Sequence, residues 1–142
     1  MPWLKKTPSW RRRSELVLLQ SAVEEFGQRL GMPLAIGREG VTALDISDVG
    51  RLYLEISALN GREELLAYLT RPVPTHDQGV ARRALTVCHY CQGGGLPLWA
   101  GVHGDNLVVL TRFSEREATG QALENAAIFL AESLNRILEG GM

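Results

Sequence analysis

The clearest candidate for chemistry in this chain is the pair of cysteines in Cys88-His89-Tyr90-Cys91. Such CxxC spacing occurs in zinc sites and in redox-active thiol pairs. A structural zinc site needs about four ligands, and the sequence has no second CxxC and no HxxxH to complete one. Redox pairs usually lie at the N-terminal end of a helix, whereas this pair comes near the end of a helical pattern. We therefore expect buried, inert cysteines and no metal site.

The other polar groups do not form a catalytic pattern. The run Gly93-Gly94-Gly95 precedes a strand rather than a helix, so it does not predict a phosphate-binding loop. The adjacent carboxylates Glu24-Glu25 and Glu63-Glu64 diverge on a helix or a strand. The three histidines are expected on a loop, a polar helix face and a hairpin tip: His76, His89 and His103. The sequence thus predicts a protein that is not an enzyme and uses no cofactor.

Length and charge narrow the class of protein further. A chain of 142 residues with 45% hydrophobic and 22% charged residues fits one folded domain. Its net charge of −1 hides five cations and no acid in residues 1–13, so the remainder is acidic. An acidic body disfavours nucleic acid as the main ligand, because duplex affinity comes largely from neutralised phosphates. Without a signal peptide or a long apolar run, the chain is expected in the cytoplasm with no membrane span.

Residues 1–13 are expected to form a basic, flexible N-terminal arm ahead of a single domain at 14–140. The arm has two prolines, two tryptophans and no helical or strand period. An alternative interpretation makes it an electrostatic anchor, with Trp3 and Trp10 as amphipathic contacts, for an acidic partner, a membrane or RNA. In that case the chain would be a regulatory or adaptor dimer.

Hydrophobic periodicity predicts the elements of the domain. Ser14 is expected to cap a helix that runs to Leu30, where Gly31 stops it. Between Val41 and Thr70 the period changes to two, which predicts three antiparallel strands. A second helix ends near Gln92. These assignments place helix and strands in separate groups, as in an α+β fold.

The remaining elements are a hairpin and a last helix. Apolar runs at 96–102 and 107–113 flank His103-Gly104-Asp105-Asn106, whose Gly and Asp suit a tight hairpin turn. Ser114 and Glu117 match the capping-box pattern and predict the start of a helix that closes at Gly140. The predicted order is therefore α-β-β-β-α-β-β-α, an antiparallel sheet with helices packed on it.

Several stretches resemble the class I type III secretion chaperones of the CesT/SycE type. The end of the first helix, FGQRLGMP at 26–33, is similar to the opening segment of that family. The stretches ALT at 84–86, GGLPLWAG at 94–101, LVVL at 107–110 and SER at 114–116 resemble SycN-like members most. The resemblance extends over residues 14–138 and leaves the basic arm without a counterpart.

The resemblance implies the same α+β fold, no catalysis and dimerisation through the second helix and its neighbouring hairpin. Such chaperones hold an N-proximal segment of a secreted effector or gatekeeper protein in extended form, which keeps it competent for export. SycN-like members pair with a second small chaperone, so either a homodimer or a heterodimer is implied. An extended client can add a strand to a sheet edge and place alternate side chains in apolar pockets.

The faces of the predicted elements suggest which residues make these contacts. The candidates for the dimer surface lie on the second helix and at the start of the hairpin: Leu85, Cys88, Cys91, Leu98 and Trp99. Apolar and aromatic residues outside the predicted core stripes are candidates for client binding: Val17, Leu18, Tyr53, Tyr68 and Phe129.

Overall fold

The predicted order of elements is confirmed by a computed structural model, which describes residues 9–36, 40–59, 62–73, 79–91 and 96–139. The side chains of residues 9–16, 59 and 87–91 lie outside this description. The elements are α1 Ser9–Leu30, β1 Val41–Ile46, β2 Gly50–Leu59, β3 Arg62–Pro72, α2 Gly79–Cys91, β4 Trp99–His103, β5 Asn106–Ser114 and α3 Gly120–Leu138. The fold is α+β.

The five strands form one antiparallel sheet in the order β1-β2-β3-β5-β4. Strand β5 crosses over to pair with β3, so β4 lies at the edge opposite β1. The register places Tyr53 of β2 opposite Tyr68 of β3, Tyr68 opposite Leu110 of β5, and Leu110 opposite Trp99 of β4. Residues that face each other in this way point to the same side of the sheet.

One side of the sheet is buried beneath the helices α1 and α3. The period of two along each strand sends alternate side chains to this side. The strand residues of this core are Leu52, Leu54, Leu65, Ala67, Leu69, Leu107, Val109 and Phe113, and the main helix residues are Leu19, Val23, Phe26, Leu123, Leu130 and Leu134. Helix α2 packs against β4 and α3 at the end of the helical layer. There the Arg83 guanidinium donates to the Ile137 carbonyl at 2.6 Å and so satisfies a carbonyl in the last turn of α3.

The end of α1 follows the prediction, whereas its start does not. Gly31 adopts a φ of 75°, and its N–H donates to the Gln28 carbonyl at 3.2 Å. The Met32 N–H donates to the Gly27 carbonyl at 2.9 Å, which completes a Schellman motif. At the other end the helix begins at Ser9 instead of after Ser14. Part of the predicted arm, residues 9–13, is therefore helical, in keeping with the high helix propensity of arginine.

The start of α3 also differs from the prediction. The Ser114 backbone N–H donates to the Glu117 carboxylate at 3.0 Å, as a capping box requires, but this contact closes a separate turn. The helix begins at Gly120, and Thr119 caps it by accepting from the Ala122 N–H at 3.0 Å. The capping pattern was identified correctly, and the helix it was expected to open starts later. Threonine is among the preferred N-cap residues, although it ranks below serine.

Thr111 gives a test of the core. Its side chain is fully buried on the helix side of β5, and its Oγ1 has no hydrogen-bond partner among the described residues. A buried, unsatisfied hydroxyl costs free energy, so Thr111→Val is expected to raise the free energy of unfolding by about 1 kcal/mol. Urea unfolding would show a higher midpoint at an unchanged slope. Thr70→Val, on the other side of the sheet, is the control and should change the midpoint little. A lower midpoint for Thr111→Val would contradict the assignment.

Candidate functional site

The side of the sheet that faces away from the helices forms the candidate site, which we call the open face. Its centre consists of half-buried apolar and aromatic side chains from three neighbouring strands. These are Tyr53 of β2, Leu66 and Tyr68 of β3, and Val108 and Leu110 of β5. Within the described residues, no helix packs on this side. The sheet therefore presents an apolar surface to solvent.

The sequence produces this surface because two central strands are apolar on both faces. In LLAYLT at 65–70, the residues Leu65, Ala67 and Leu69 point to the core, so the alternate positions Leu66 and Tyr68 point outward. In LVVLTRF at 107–113, Val108 and Leu110 are the outward residues. An antiparallel sheet with one solvated face usually places polar side chains there. Apolar residues at these positions make this face more apolar than a solvated sheet face usually is.

A hollow lies on the open face beside Gly101. This glycine of the edge strand β4 pairs with Val108, and an added Cβ atom would meet nothing within 4 Å. The depression is bordered by Tyr68, Val108 and Leu110, with His103 at its rim. Since a small residue interrupts a row of larger side chains, the hollow is suited to receive an apolar side chain from outside.

Aromatic rings form a row across the open face. The rings of Tyr53 and Tyr68 stack with their centroids 5.0 Å apart and an interplanar angle of 11°. The Arg51 guanidinium lies 5.6 Å from the centre of the Tyr53 ring, and the Arg112 guanidinium lies 5.0 Å from that of Trp99. These contacts fix the aromatic side chains and leave Trp99 45% exposed at the edge of the sheet.

Charges surround the aromatic row. Arg51 pairs with Asp45 at 3.8 Å, and Arg112 pairs with Glu64 at the same distance. The Tyr68 hydroxyl donates to the Glu55 carboxylate at 3.4 Å, a long hydrogen bond. The pKa of Tyr68 is raised above 10.0, first because burial disfavours the phenolate, then because of the negative charge of Glu55 and the hydrogen bond to it. Tyr68 is therefore neutral and remains a donor at physiological pH.

The structure brings some of the candidate contact residues together and separates others. Tyr53 and Tyr68, expected to bind a client, share the open face with Trp99, which was expected at a dimer surface. Leu85 is 69% exposed on α2, on the helix side of the sheet. Leu98 is 3% exposed and packs in the chain's own core, so it has almost no surface left for a partner. The side chains of Cys88 and Cys91 lie outside the described residues.

The candidate client-binding residues on the helices also differ in how far they are exposed. Val17 and Leu18 are more than half exposed on α1. Phe129 is only half-buried and packs against the core, whereas its neighbour Ile128 is 54% exposed on α3. A helical wheel places these two residues about 100° apart and does not show which side a neighbouring helix covers. The missed residues of the open face, Leu66, Val108 and Leu110, could have been found from the same alternation that selected Tyr68, but only the strand register shows that they adjoin one another.

The structure shows no metal centre in the parts of the chain that it describes, since no group of three or more His, Cys, Asp or Glu side chains is placed to bind an ion. Among the same residues, no helix is long and apolar enough to cross a membrane.

Tyr68 gives a test of the site's electrostatics. The folded state holds the Tyr68 proton more tightly than the unfolded state does, because its pKa is raised above 10.0. The contribution of this difference to the free energy of unfolding is complete below the pKa that Tyr68 has in the unfolded chain. It is lost as the pH rises through the pKa that Tyr68 has in the folded chain. In an absorbance titration of the three tyrosines, Tyr68 should ionise late. Tyr68→Phe should remove that late phase, and Tyr53→Phe should retain it. A late phase that persists in Tyr68→Phe would contradict the assignment.

Comparisons with solved structures show the same fold in type III secretion chaperones. SycH of Yersinia pestis, solved in complex with a stable fragment of YscM2, matches with a TM-score of 0.65 at 16% identity, covering 84% of this chain and 98% of SycH. A chain of the HopA1–SchA chaperone–effector complex matches with a TM-score of 0.67 at 20% identity, covering 89% and 97%. A chain of the ExsC–ExsE complex matches with a TM-score of 0.63 at 19% identity, covering 80% and 85%.

Sequence comparison identifies the family. No curated protein shows significant similarity to the chain. The family model described as type III secretory system chaperone SycN matches residues 18–138, which is most of the chain and nearly all of the described fold. This match confirms the resemblance found in the helix-end and hairpin segments. The chain belongs to the SycN family of type III secretory system chaperones.

Proposed function

We propose that this chaperone binds an N-proximal segment of a secreted effector or gatekeeper protein in the bacterial cytoplasm and keeps it competent for export. The observation that carries the proposal is the open face, where tyrosines and aliphatic residues remain partly exposed and no described helix covers them. A surface of this kind suits an unfolded segment, because burial of apolar side chains is its main source of binding free energy. The proposed role involves no catalysis.

The geometry of the sheet supports an extended client. Strands β1 and β4 are the two edges of the sheet, and each has one side of its backbone that no other described strand pairs with. An added strand would be held by backbone hydrogen bonds, its alternate side chains would point to the side of the open face, and the segment that continues from it would lie over the apolar centre. The hollow beside Gly101 adjoins the β4 edge and would receive one of those side chains.

Related structures agree with this role. SycH was solved with a fragment of YscM2, and the SchA chaperone was solved with the effector HopA1. The sheet and helices of this chain superpose on chains from those complexes over more than four fifths of its length. We therefore propose a secreted polypeptide as the partner of this chain as well.

We propose that the chain acts as a dimer, either with itself or with a second small chaperone, through α2 and β4. Leu85 is the most exposed large apolar residue of the described chain, and α2 packs directly against β4. Val102 of β4 points to the same helix side of the sheet as Leu85, and its side chain is 45% exposed. Trp99 lies at the boundary between this surface and the open face, so it can contribute to both contacts.

The dimer is tested with Leu85→Asp. A charge at the centre of an apolar interface is expected to cost at least about 2 kcal/mol of association free energy, which lowers the affinity more than tenfold. Light scattering should show loss of the dimer, measured alone and with a second small chaperone. Ile128→Asp, at an exposed apolar position on α3, is the control and should leave the mass unchanged. A dimer that survives Leu85→Asp in both settings would refute the surface.

Client binding is tested with Gly101→Leu. This residue has space for a side chain, so the variant should fold normally and fill the hollow. A tagged chain purified from its bacterium with the secretion system active should bring down one secreted protein near stoichiometrically, held through its N-terminal part. Gly101→Leu should reduce its recovery several-fold, whereas Ala58→Leu, at another exposed strand position, should not. Full recovery with Gly101→Leu would exclude the hollow, and the absence of any secreted protein would exclude the function.

A further inference from the structure

Glu55 is the one carboxylate on the described part of the open face without a basic partner. Its neighbours across the strands are Val41 of β1 and Leu66 of β3, and among the described residues its polar contact is the hydroxyl of Tyr68 at 3.4 Å. Two arginines of the same face are engaged elsewhere, Arg51 with Asp45 and Arg112 with Glu64, and a third, Arg62, begins β3 four residues before Leu66. The centre of the face thus combines an apolar surface with one uncompensated negative charge.

A client that covers this surface must compensate the negative charge of Glu55. Glu55 is already half-buried, and an apolar segment that covers Leu66 and Tyr68 would further reduce the hydration of the Glu55 carboxylate. Burying a carboxylate without a cation is costly, whereas burying it with a well-placed basic group largely offsets the cost. The open face therefore discriminates between segments: it penalises a purely apolar or acidic one and favours one that brings a cation.

We propose that the open face selects client segments in which a basic side chain, arginine above lysine, reaches Glu55 while apolar residues two positions away on either side contact Leu66, Leu110 and their neighbours. This inference rests on the proposed function and specifies the chemistry of its partner. Residues two apart in an extended segment point to the same side, so such a segment presents all three side chains to the sheet together. Arginine fits better than lysine because its guanidinium makes two parallel hydrogen bonds to a carboxylate.

A second copy of the chain is a poorer occupant of this face. In a two-fold contact through the open face, each copy would offer the other only side chains of the same face. Two of the three described arginines there already pair with their own carboxylates and contact aromatic rings, Arg51 on Tyr53 and Arg112 on Trp99. The third, Arg62, lies at the start of β3 opposite Leu59, away from the apolar centre. Arg51 or Arg112 of a second copy would reach Glu55 only if one of those contacts were broken.

The test uses the full chain and four synthetic peptides, Gly-Leu-Ser-Xaa-Ser-Leu-Gly with Xaa as Arg, Lys, Gln or Glu and blocked ends. NMR titration should give the tightest binding for the Arg peptide, about fivefold tighter than for the Gln peptide, with shifts at Leu66 and Tyr68. Glu55→Gln should remove that preference while leaving the Gln peptide's affinity unchanged. Glu55→Lys should reverse the order in favour of the Glu peptide, which a merely structural role of Glu55 would not produce.

Control experiments distinguish a failure of this inference from a failure of the proposed function on which it rests. Glu132→Gln, an exposed carboxylate on α3, should leave all four affinities as they are. Equal affinities for the Arg and Gln peptides, or a preference that survives Glu55→Gln, would overturn the proposed selectivity. If recovery of the secreted client still falls in Gly101→Leu under that outcome, client binding stands and only the role of Glu55 is wrong. Shifts confined to α1 and α3 would overturn the selectivity and the open face together.

Discussion

The structure depends on one-sided burial of its sheet. Helices α1 and α3 cover one face, where Phe26, Leu54, Leu65, Leu130 and other side chains leave almost no surface to solvent. This core provides the hydrophobic free energy that holds the chain together. The salt bridge from Arg29 to Glu124, at 2.6 Å, links the two helices at their exposed side. Because both of these helices pack on that face, the other face is left without a covering layer among the described residues.

An uncovered apolar face carries a risk of nonspecific association, and the structure limits it. The stacked Tyr53 and Tyr68 rings are amphipathic, and the arginines over Tyr53 and Trp99 bring charge to the outer surface of the same row. Cross-strand ion pairs add further charges around the apolar centre. The face thus combines polar and charged groups with its apolar side chains, as the proposed binding of an unfolded client requires. A chaperone needs this balance, since it must hold its client and later release it.

The sequence predicted those features that arise from neighbours along the chain. The stop of α1 at Gly31, the hairpin turn at Gly104 and the alternating strands all depend on local backbone preferences, and all were found. The capping contact between Ser114 and Glu117 forms as expected, yet Thr119 caps the helix, because two competing caps lie within a few residues.

Features that depend on pairing between distant segments could not be predicted in the same way. The alignment of Tyr53 with Tyr68, Leu110 and Trp99 requires the crossover of β5 to β3, and the burial of Leu98 requires the helices above it.

The most direct measurement of the central claim is hydroxyl-radical footprinting of the chain with and without its co-purified client. The account predicts strong protection of Tyr53, Tyr68 and Trp99 and none of Ile128. Protection confined to Val17, Leu18 and Ile128, with the tyrosines as reactive as in the free chain, would contradict it.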